Sequence, residues 1–199
     1  MDMLRPLEIY QTMRGIGGWF SDEEGDLLLS AALAALGSSA SPRNFVEVGS
    51  YLGRSTSVLG RVVRSLSPAS RVYAIDPHEG VVGADGDWLH RGSETLTEFS
   101  RNMVVAGVAD VVEPLIAKSW EVAWDKPIHL LFVDGLHDHD NVARDFHHFE
   151  GWIAPDGLAL FHDYADYYPG VMRFVDELLA AGGWIGEAQA GSLKLLRRA

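Results

Sequence analysis

The 199-residue chain contains no cysteine. Disulfides, thiolate metal sites and a cysteine nucleophile are therefore excluded, although the compartment is not settled by this alone. No apolar run approaches the roughly 18 residues that a membrane-spanning helix needs. The opening Met-Asp-Met-Leu-Arg-Pro has no signal-peptide pattern either, so a cytoplasmic protein without a membrane partner is expected. Basic residues are scarce: 16 Lys and Arg stand against 28 Asp and Glu, a net charge of −12. A phosphate-backbone binder needs a basic patch, so nucleic acid is not expected as a partner. Repeats and low-complexity tracts are absent. Hydrophobic residues make up 47% and charged residues 22%, ordinary for a globular chain of one domain, 1–199, with a sizeable core.

What is present begins at residues 45–55, Phe-Val-Glu-Val-Gly-Ser-Tyr-Leu-Gly-Arg-Ser. A short apolar strand carries an acid, Glu47, just before a Gly-x-x-x-Gly turn from Gly49 to Gly53, after which a helix opens. Gly49 permits a tight turn, and Gly53 lets the backbone approach a ligand or the next element closely. The helix N-terminus points at the same spot. Open α/β sheets hold nucleotide-like cofactors in this way, at the carboxyl ends of their strands. The loop is not Gly-x-Gly-x-x-Gly. Glu47 would repel a pyrophosphate but not a cofactor bearing an ammonium and a sulfonium. A second strand, 71–75, ends in Asp76, an acid suited to ribose hydroxyls.

The remaining pattern alternates strands and helices. Ser21-Asp-Glu-Glu24 is a capping box that opens a helix with Leu29, Ala32, Leu33 and Leu36 on one face, stopped by Gly37. After strand 45–48, a helix over 52–66 shows a Leu59, Val62, Val63, Leu66 stripe. Residues 78–92 form a long loop of the kind used as lids or binding loops. A helix over 94–106, strands over 111–116 and 128–133, a helix over 138–152 and a strand over 157–161 follow. Pro169 opens a further helix ending at Gly182-Gly183, and 184–189 with 192–197 form a hairpin around Ala190-Gly191. The expected fold is α/β: an N-terminal helical segment, 1–40, then a Rossmann-like, doubly wound, mostly parallel seven-stranded sheet over 43–199 with a C-terminal antiparallel strand.

A second constellation sits at two strand ends. Strand 128–133 runs into Asp134-Gly-Leu-His137-Asp138-His139, and strand 157–161 into His162-Asp163-Tyr164. In a parallel sheet both emerge on the same edge as Glu47 and Asp76, with neighbouring strands about 4.8 Å apart. Asp134 and Asp163 can then share a divalent ion such as Mg²⁺. A nitrogen from His162 tilts the site towards Mn²⁺ or Fe²⁺; alternatively His162 orients Asp163 from outside. His137 can reach over the pocket as a general base. Asp138 reads as a helix cap, His129 as a strand residue, and His147 and His148 as a solvated helix face with Arg144 and Asp145. His139 is open, with a structural role favoured.

These residues carry a resemblance. The 45–56 segment, Val-Tyr-Ala-Ile-Asp-Pro-His at 72–78, Phe-Val-Asp-Gly-Leu-His at 132–137 and Leu-Phe-His-Asp-Tyr at 160–164 together resemble class I S-adenosylmethionine-dependent methyltransferases. They look like the metal-dependent sugar O-methyltransferases of macrolide and related antibiotic biosynthesis. Residues 18–24 also resemble the helix preceding that fold. The resemblance implies that Glu47, Gly49, Ser50, Tyr51 and Gly53 line the methionine end of the cofactor, with Ser55 at the helix start. It places Asp76 on the ribose with His78 close by, and Lys118-Ser119-Trp120 against the adenine. Asp134 stands where cofactor and metal meet. Asp134 and Asp163, with His162, would hold Mg²⁺ or Mn²⁺, and His137 would be the base. Two positions depart from the pattern: His162 and Leu136 both stand where relatives tend to carry an acid.

The expected function is thus metal-assisted O-methylation of a small-molecule hydroxyl, favouring a vicinal diol on a sugar or catechol-like ring. Trp88, Tyr164, Tyr167 and Tyr168 are candidates to pack against that ring. A homo-oligomer is compatible with the sequence. The rivals are an NAD-dependent oxidoreductase, disfavoured by the loop and by the absence of a Tyr-x-x-x-Lys pair, and a non-catalytic partner subunit, disfavoured by Asp134, His137 and Asp163.

Overall fold

The computed structural model describes residues 4–37, 41–83, 89–90 and 95–199. Helices α1 (Pro6–Arg14) and α2 (Asp22–Leu36) precede strand β1 (Asn44–Val48). Then come α3 (Arg54–Leu66), β2 (Arg71–Ile75), α4 (Thr95–Val105), β3 (Val112–Leu115), β4 (Ile128–Val133), α5 (His139–Glu150), β5 (Ile153–Phe161), α6 (Pro169–Ala181), β6 (Trp184–Ala190) and β7 (Leu193–Arg198). The seven strands form one sheet in the order β3-β2-β1-β4-β5-β7-β6. The first five run parallel, and β7 pairs antiparallel with both β5 and β6.

Both faces of this sheet are covered, which parallel strands require. Alternate residues Phe45, Val72, Ala74, Leu130, Phe132, Leu158 and Leu160 meet α1 to α4, where Leu28, Leu59, Val62 and Phe99 are buried. The intervening set, Val46, Ile75, Leu131, Val133, Ala159 and Phe161, meets α5 and α6 through Phe146, Phe149 and Phe174. The N-terminal segment is integral to the core, because Ile9, Met13 and Leu28 are almost wholly buried in it. Its first helix, α1, has Pro6 in the first turn, where a missing N–H costs nothing. The capping box of α2 forms in both directions between Ser21 and Glu24. No helix among the described residues is long and apolar enough to cross a membrane.

Several expectations change. On α2 the buried stripe contains Leu28, Leu29, Ala32 and Leu36, while Leu33 is exposed. Leu66, the last member of the α3 stripe, is also exposed at the helix end. Strand β5 starts at Ile153 rather than at 157, because a register break absorbs Pro155, which cannot donate to a ladder. Within the 78–92 loop, Val81–Val82 pairs antiparallel with Leu89–His90. The rest of that loop's tip, with Trp88, lies outside the described residues.

The register aligns the strand ends. Val48 sits opposite both Ile75 and Val133, Ile75 opposite Leu115, and Val133 opposite Phe161. Gly49, Asp76, Asp134 and His162 therefore leave the sheet side by side along one edge.

Candidate active site

The edge is built from turns that tolerate little change. Gly49 has φ 88°, and its N–H donates to the Ile75 carbonyl at 2.9 Å. A Cβ at Gly49 would collide with the Asp134 carbonyl, so this glycine is required both for its conformation and for close approach of two strand ends. Gly53, at φ 86°, has a different role: a side chain there would strike Met103 and Phe99 of α4. Its absence lets α3 and α4 meet, the close approach to a neighbouring element that the sequence allowed for. Three non-glycine residues with positive φ, Tyr51 at 45°, His78 at 55° and Asp163 at 60°, all stand along this edge. Strained backbone of this kind collects where side chains must be aimed.

The acids at the edge have separate surroundings. Asp76 receives the Tyr51 N–H at 2.8 Å and the His78 N–H at 2.6 Å, one on each oxygen. It thereby ties the β1 turn to the β2 end. Glu47 is fully buried and does not reach the cavity described below. It lies on the α1–α4 face of β1, where it accepts Ser55 Oγ at 2.5 Å and also Thr56 Oγ1. Burial, with the negative charges of Asp134 and Asp76, raises its carboxyl to about 8 despite those hydroxyls. In this structure Glu47 makes a structural contact at the start of α3. His78 is buried too, with Nδ1 2.9 Å from Thr95 Oγ1 and its ring against Phe99. Burial holds it below the ordinary histidine range.

Beyond the line of strand ends opens a cavity of about 540 Å³, a size typical of small-molecule sites. Its walls are the 17–20 segment, the β1 turn including Gly49, Ser50, Tyr51 and Ser55, and the ends of β4 and β5. Tyr167 and Tyr168 line it as well, whereas Tyr164 does not; Tyr164 donates its hydroxyl to Asp176. Ser50 Oγ is buried without a hydrogen-bond partner. Arg54 is the one lysine or arginine among the described lining residues. Gly53, Asp76, His78, Ser119 and Trp120 lie outside this cavity. Ser119 Oγ donates instead to Asp145, and Trp120 is covered by the Arg144 guanidinium 4.0 Å from its ring centre. Asp145, expected on a solvated face, is buried, and burial raises its carboxyl to about 6.

Asp134, His162 and Asp163 converge at the cavity floor, each offering an atom within 4.8 Å of the others. His162 Nδ1 lies 3.0 Å from Asp134 Oδ1 and 3.2 Å from Asp163 Oδ2. His137 comes over the top, its Nε2 3.0 Å from Asp163 Oδ2 and 3.8 Å from Asp134 Oδ1, with its ring against Tyr168. Its backbone N–H is held by the Gly83 carbonyl at 3.1 Å. Burial pushes Asp134 up, but His162 and His137 overcome it and hold the carboxyl below its usual value. Burial likewise opposes charge on His162, yet Asp134, Asp163 and Glu24 raise it well above the ordinary range.

Glu24 is the functional candidate that sequence reasoning missed. Its Oε2 lies 3.4 Å from His162 Nε2, and its Oε1 accepts the Ser192 N–H at 3.0 Å and Oγ at 2.7 Å. The capping box already accounted for an acid at this position, so no residual signal called for a second role. The remaining histidines stand apart. His139 pairs with Glu177 at 2.8 Å, and His129 Nδ1 accepts the Asn44 N–H. His147 pairs with Glu150. His148, expected on a solvated face, is half-buried against Phe149 and donates to the Val122 carbonyl.

A family model described as a methyltransferase domain matches residues 46–164, which contain the β1 turn, Asp76, Asp134, His137, His162 and Asp163. The chain belongs to this methyltransferase family. Solved methyltransferase structures share the fold. The O-methyltransferase NovP superposes with a TM-score of 0.73 at 17% identity, covering 89% of this chain and 80% of that one. A methyltransferase from Geobacter sulfurreducens gives 0.63 at 22%, covering 100% and 91%. An O-methyltransferase from Bacillus cereus, in complex with SAH, gives 0.66 at 18%, covering 98% and 90%. The uncharacterized protein y4gI of Sinorhizobium fredii (strain NBRC 101917 / NGR234) is 24% identical over 143 residues. The match takes in 70% of this chain but only 15% of that relative's length.

Proposed function

We propose that this methyltransferase transfers a methyl group from S-adenosylmethionine to a hydroxyl of a small molecule, with a divalent ion at Asp134, His162 and Asp163. The observation that carries the reading is the convergence of those three residues with His137 on the floor of a cavity that also exposes the β1 glycine turn. The SAH in the Bacillus cereus relative and the O-methyltransferase activity named for it and for NovP support the cofactor and the acceptor class.

The residues fit both groups. Ser50 Oγ, buried and unpartnered beside Gly49, suits the methionine end of the cofactor, and Arg54 suits its carboxylate. Asp76, with a backbone N–H on each oxygen, keeps lone pairs for two ribose hydroxyls. For the ion, two carboxylates and an imidazole converge, and neither nitrogen of buried His162 makes a satisfactory hydrogen bond. When bound, the cofactor supplies an electrophilic methyl and the ion supplies positive charge for a developing alkoxide. The protein's part is positioning and proton removal. His137 lines the cavity at the rim of the cluster, and its Nε2, next to Asp163 in this structure, would turn to the substrate to accept the hydroxyl proton. Asp163, 3.0 Å from that nitrogen, stabilises the resulting imidazolium. A vicinal diol, on a sugar or catechol-like ring, would suit a cavity whose lining includes Asp134, Asp163, Tyr167 and Tyr168.

The test is His137→Ala, assayed with a panel of diols and labelled S-adenosylmethionine. Loss of a general base should lower kcat about 10²–10⁴-fold with S-adenosylhomocysteine affinity unchanged. A kcat within about threefold of wild type, far below that range, removes His137 from the base role. Tight NAD binding in place of S-adenosylmethionine would remove the whole reading.

A further inference from the structure

We propose that Glu24 is a positioning residue that fixes His162 as a nitrogen ligand. The cluster thereby becomes a site for a transition-metal ion of the Mn²⁺ or Fe²⁺ class in preference to Mg²⁺. The inference rests on the metal reading above and specifies which ion and why.

The ring of His162 has one nitrogen on each of two errands. Nδ1 lies 3.0 and 3.2 Å from the two aspartate oxygens. An octahedral ion with bonds of about 2.1 Å holds neighbouring ligand atoms about 3.0 Å apart. Nδ1 therefore lies at ligand-to-ligand spacing from both carboxylates. Nε2 points the other way, 3.4 Å from Glu24 Oε2, within ion-pair distance but short of a hydrogen bond in this structure. A carboxylate behind a histidine takes the proton-bearing nitrogen and leaves the other lone pair for the ion, fixing both tautomer and ring orientation.

Glu24 is held rigidly enough to do this. Its Oε2 also accepts the Ser21 N–H at 2.7 Å, and its Oε1 accepts two donors from Ser192. A side chain at Gly191 would crowd the same carboxylate. The helix cap and the β6–β7 turn thus clamp it from opposite sides. His162 has little room to swing away, since it is 5% exposed and its ring packs against both Phe20 and Phe132. An imidazole as a permanent ligand disfavours Mg²⁺, which prefers oxygens and retained waters, and favours later divalent metals.

Purified protein would be titrated calorimetrically with MnCl₂ and MgCl₂, and the Mn²⁺ complex examined by electron spin-echo envelope modulation. Mn²⁺ should bind at least about tenfold more tightly than Mg²⁺, with a directly bonded nitrogen in the spectrum. His162→Asn, which offers the ion an oxygen and Glu24 an NH₂, should abolish the nitrogen signal and bring the two affinities together. Glu24→Gln should weaken Mn²⁺ binding about 10–100-fold. Glu24→Asp keeps an acid in the cap but withdraws it from His162, and it should do the same if the glutamine variant fails to fold. Equal Mn²⁺ and Mg²⁺ affinity with no nitrogen signal overturns the inference while leaving the metal reading intact. Failure of both ions to bind overturns both. Unchanged Mn²⁺ affinity in a folded Glu24 variant removes Glu24 from the site.

Discussion

Glu47→Gln separates two roles for the acid that precedes the glycine turn. Glu47 is fully buried, with the hydroxyls of Ser55 and Thr56 as its hydrogen-bond partners. Its carboxyl is raised from 4.5 to about 8, chiefly by burial. The folded protein therefore keeps a proton that the unfolded chain releases. The associated stability is fully present below about 4.5, drains as pH rises, and is gone once pH passes about 8. At 1.36 kcal/mol per pH unit, that displacement is worth at most on the order of 5 kcal/mol. Glutamine is neutral at every pH, and its amide can accept from one hydroxyl and donate to the other. The stability of Glu47→Gln minus that of wild type should therefore grow between pH 5 and 8 and then level off. Urea denaturation of both proteins at pH 5, 6, 7, 8 and 9 measures it, and taking the difference cancels every other titrating group. A difference constant to within about 1 kcal/mol, well under the linkage value, would refute the reasoning. Calorimetry with S-adenosylhomocysteine at pH 6 adds a second arm, since the folded wild type is then neutral at this position too. Affinity should be unchanged there, and a loss beyond about tenfold, or 1.4 kcal/mol, would return Glu47 to the cofactor.

Gly49→Ala should cost at least about 2 kcal/mol, because the left-handed backbone is strained and the new methyl meets the Asp134 carbonyl; thermal melting against wild type measures the loss. Asp76→Ala should weaken S-adenosylhomocysteine binding by about 1.5–3 kcal/mol, the scale of hydrogen bonds to a charged group, and calorimetry showing equal affinity would detach Asp76 from the ribose. Exhaustive EDTA treatment should stop turnover and Mn²⁺ should restore it, whereas full activity after chelation would leave His137 to act alone.

Local pattern made much of the fold legible. Apolar runs over 45–48, 71–75 and 128–133, each followed by turn or cap residues, mark strands because alternation and punctuation are properties of neighbouring residues. The same runs put Gly49, Asp76, Asp134 and His162 at strand ends, and parallel pairing then brings them to one edge. Pro155 and the two exposed leucines, Leu33 and Leu66, were harder. Whether a bulge absorbs a proline, or a helix turns a stripe by one position, is decided by what lies against it.

The division at the site follows the same logic. Positions relative to strand ends are local facts, so the order of residues already says which side chains can share the edge. The direction in which each carboxylate faces depends on packing between distant elements. Glu47, two residues before the turn, falls on the face of β1 covered by α3, and its carboxyl is buried there against Ser55 and Thr56. Glu24 reads as a cap and nothing more until α2 crosses the sheet end and meets Ser192, 168 residues away. No local pattern encodes a contact at that separation. It exists because Leu28, Leu29 and Leu36 seat α2 in the core, and that burial carries Glu24 to His162.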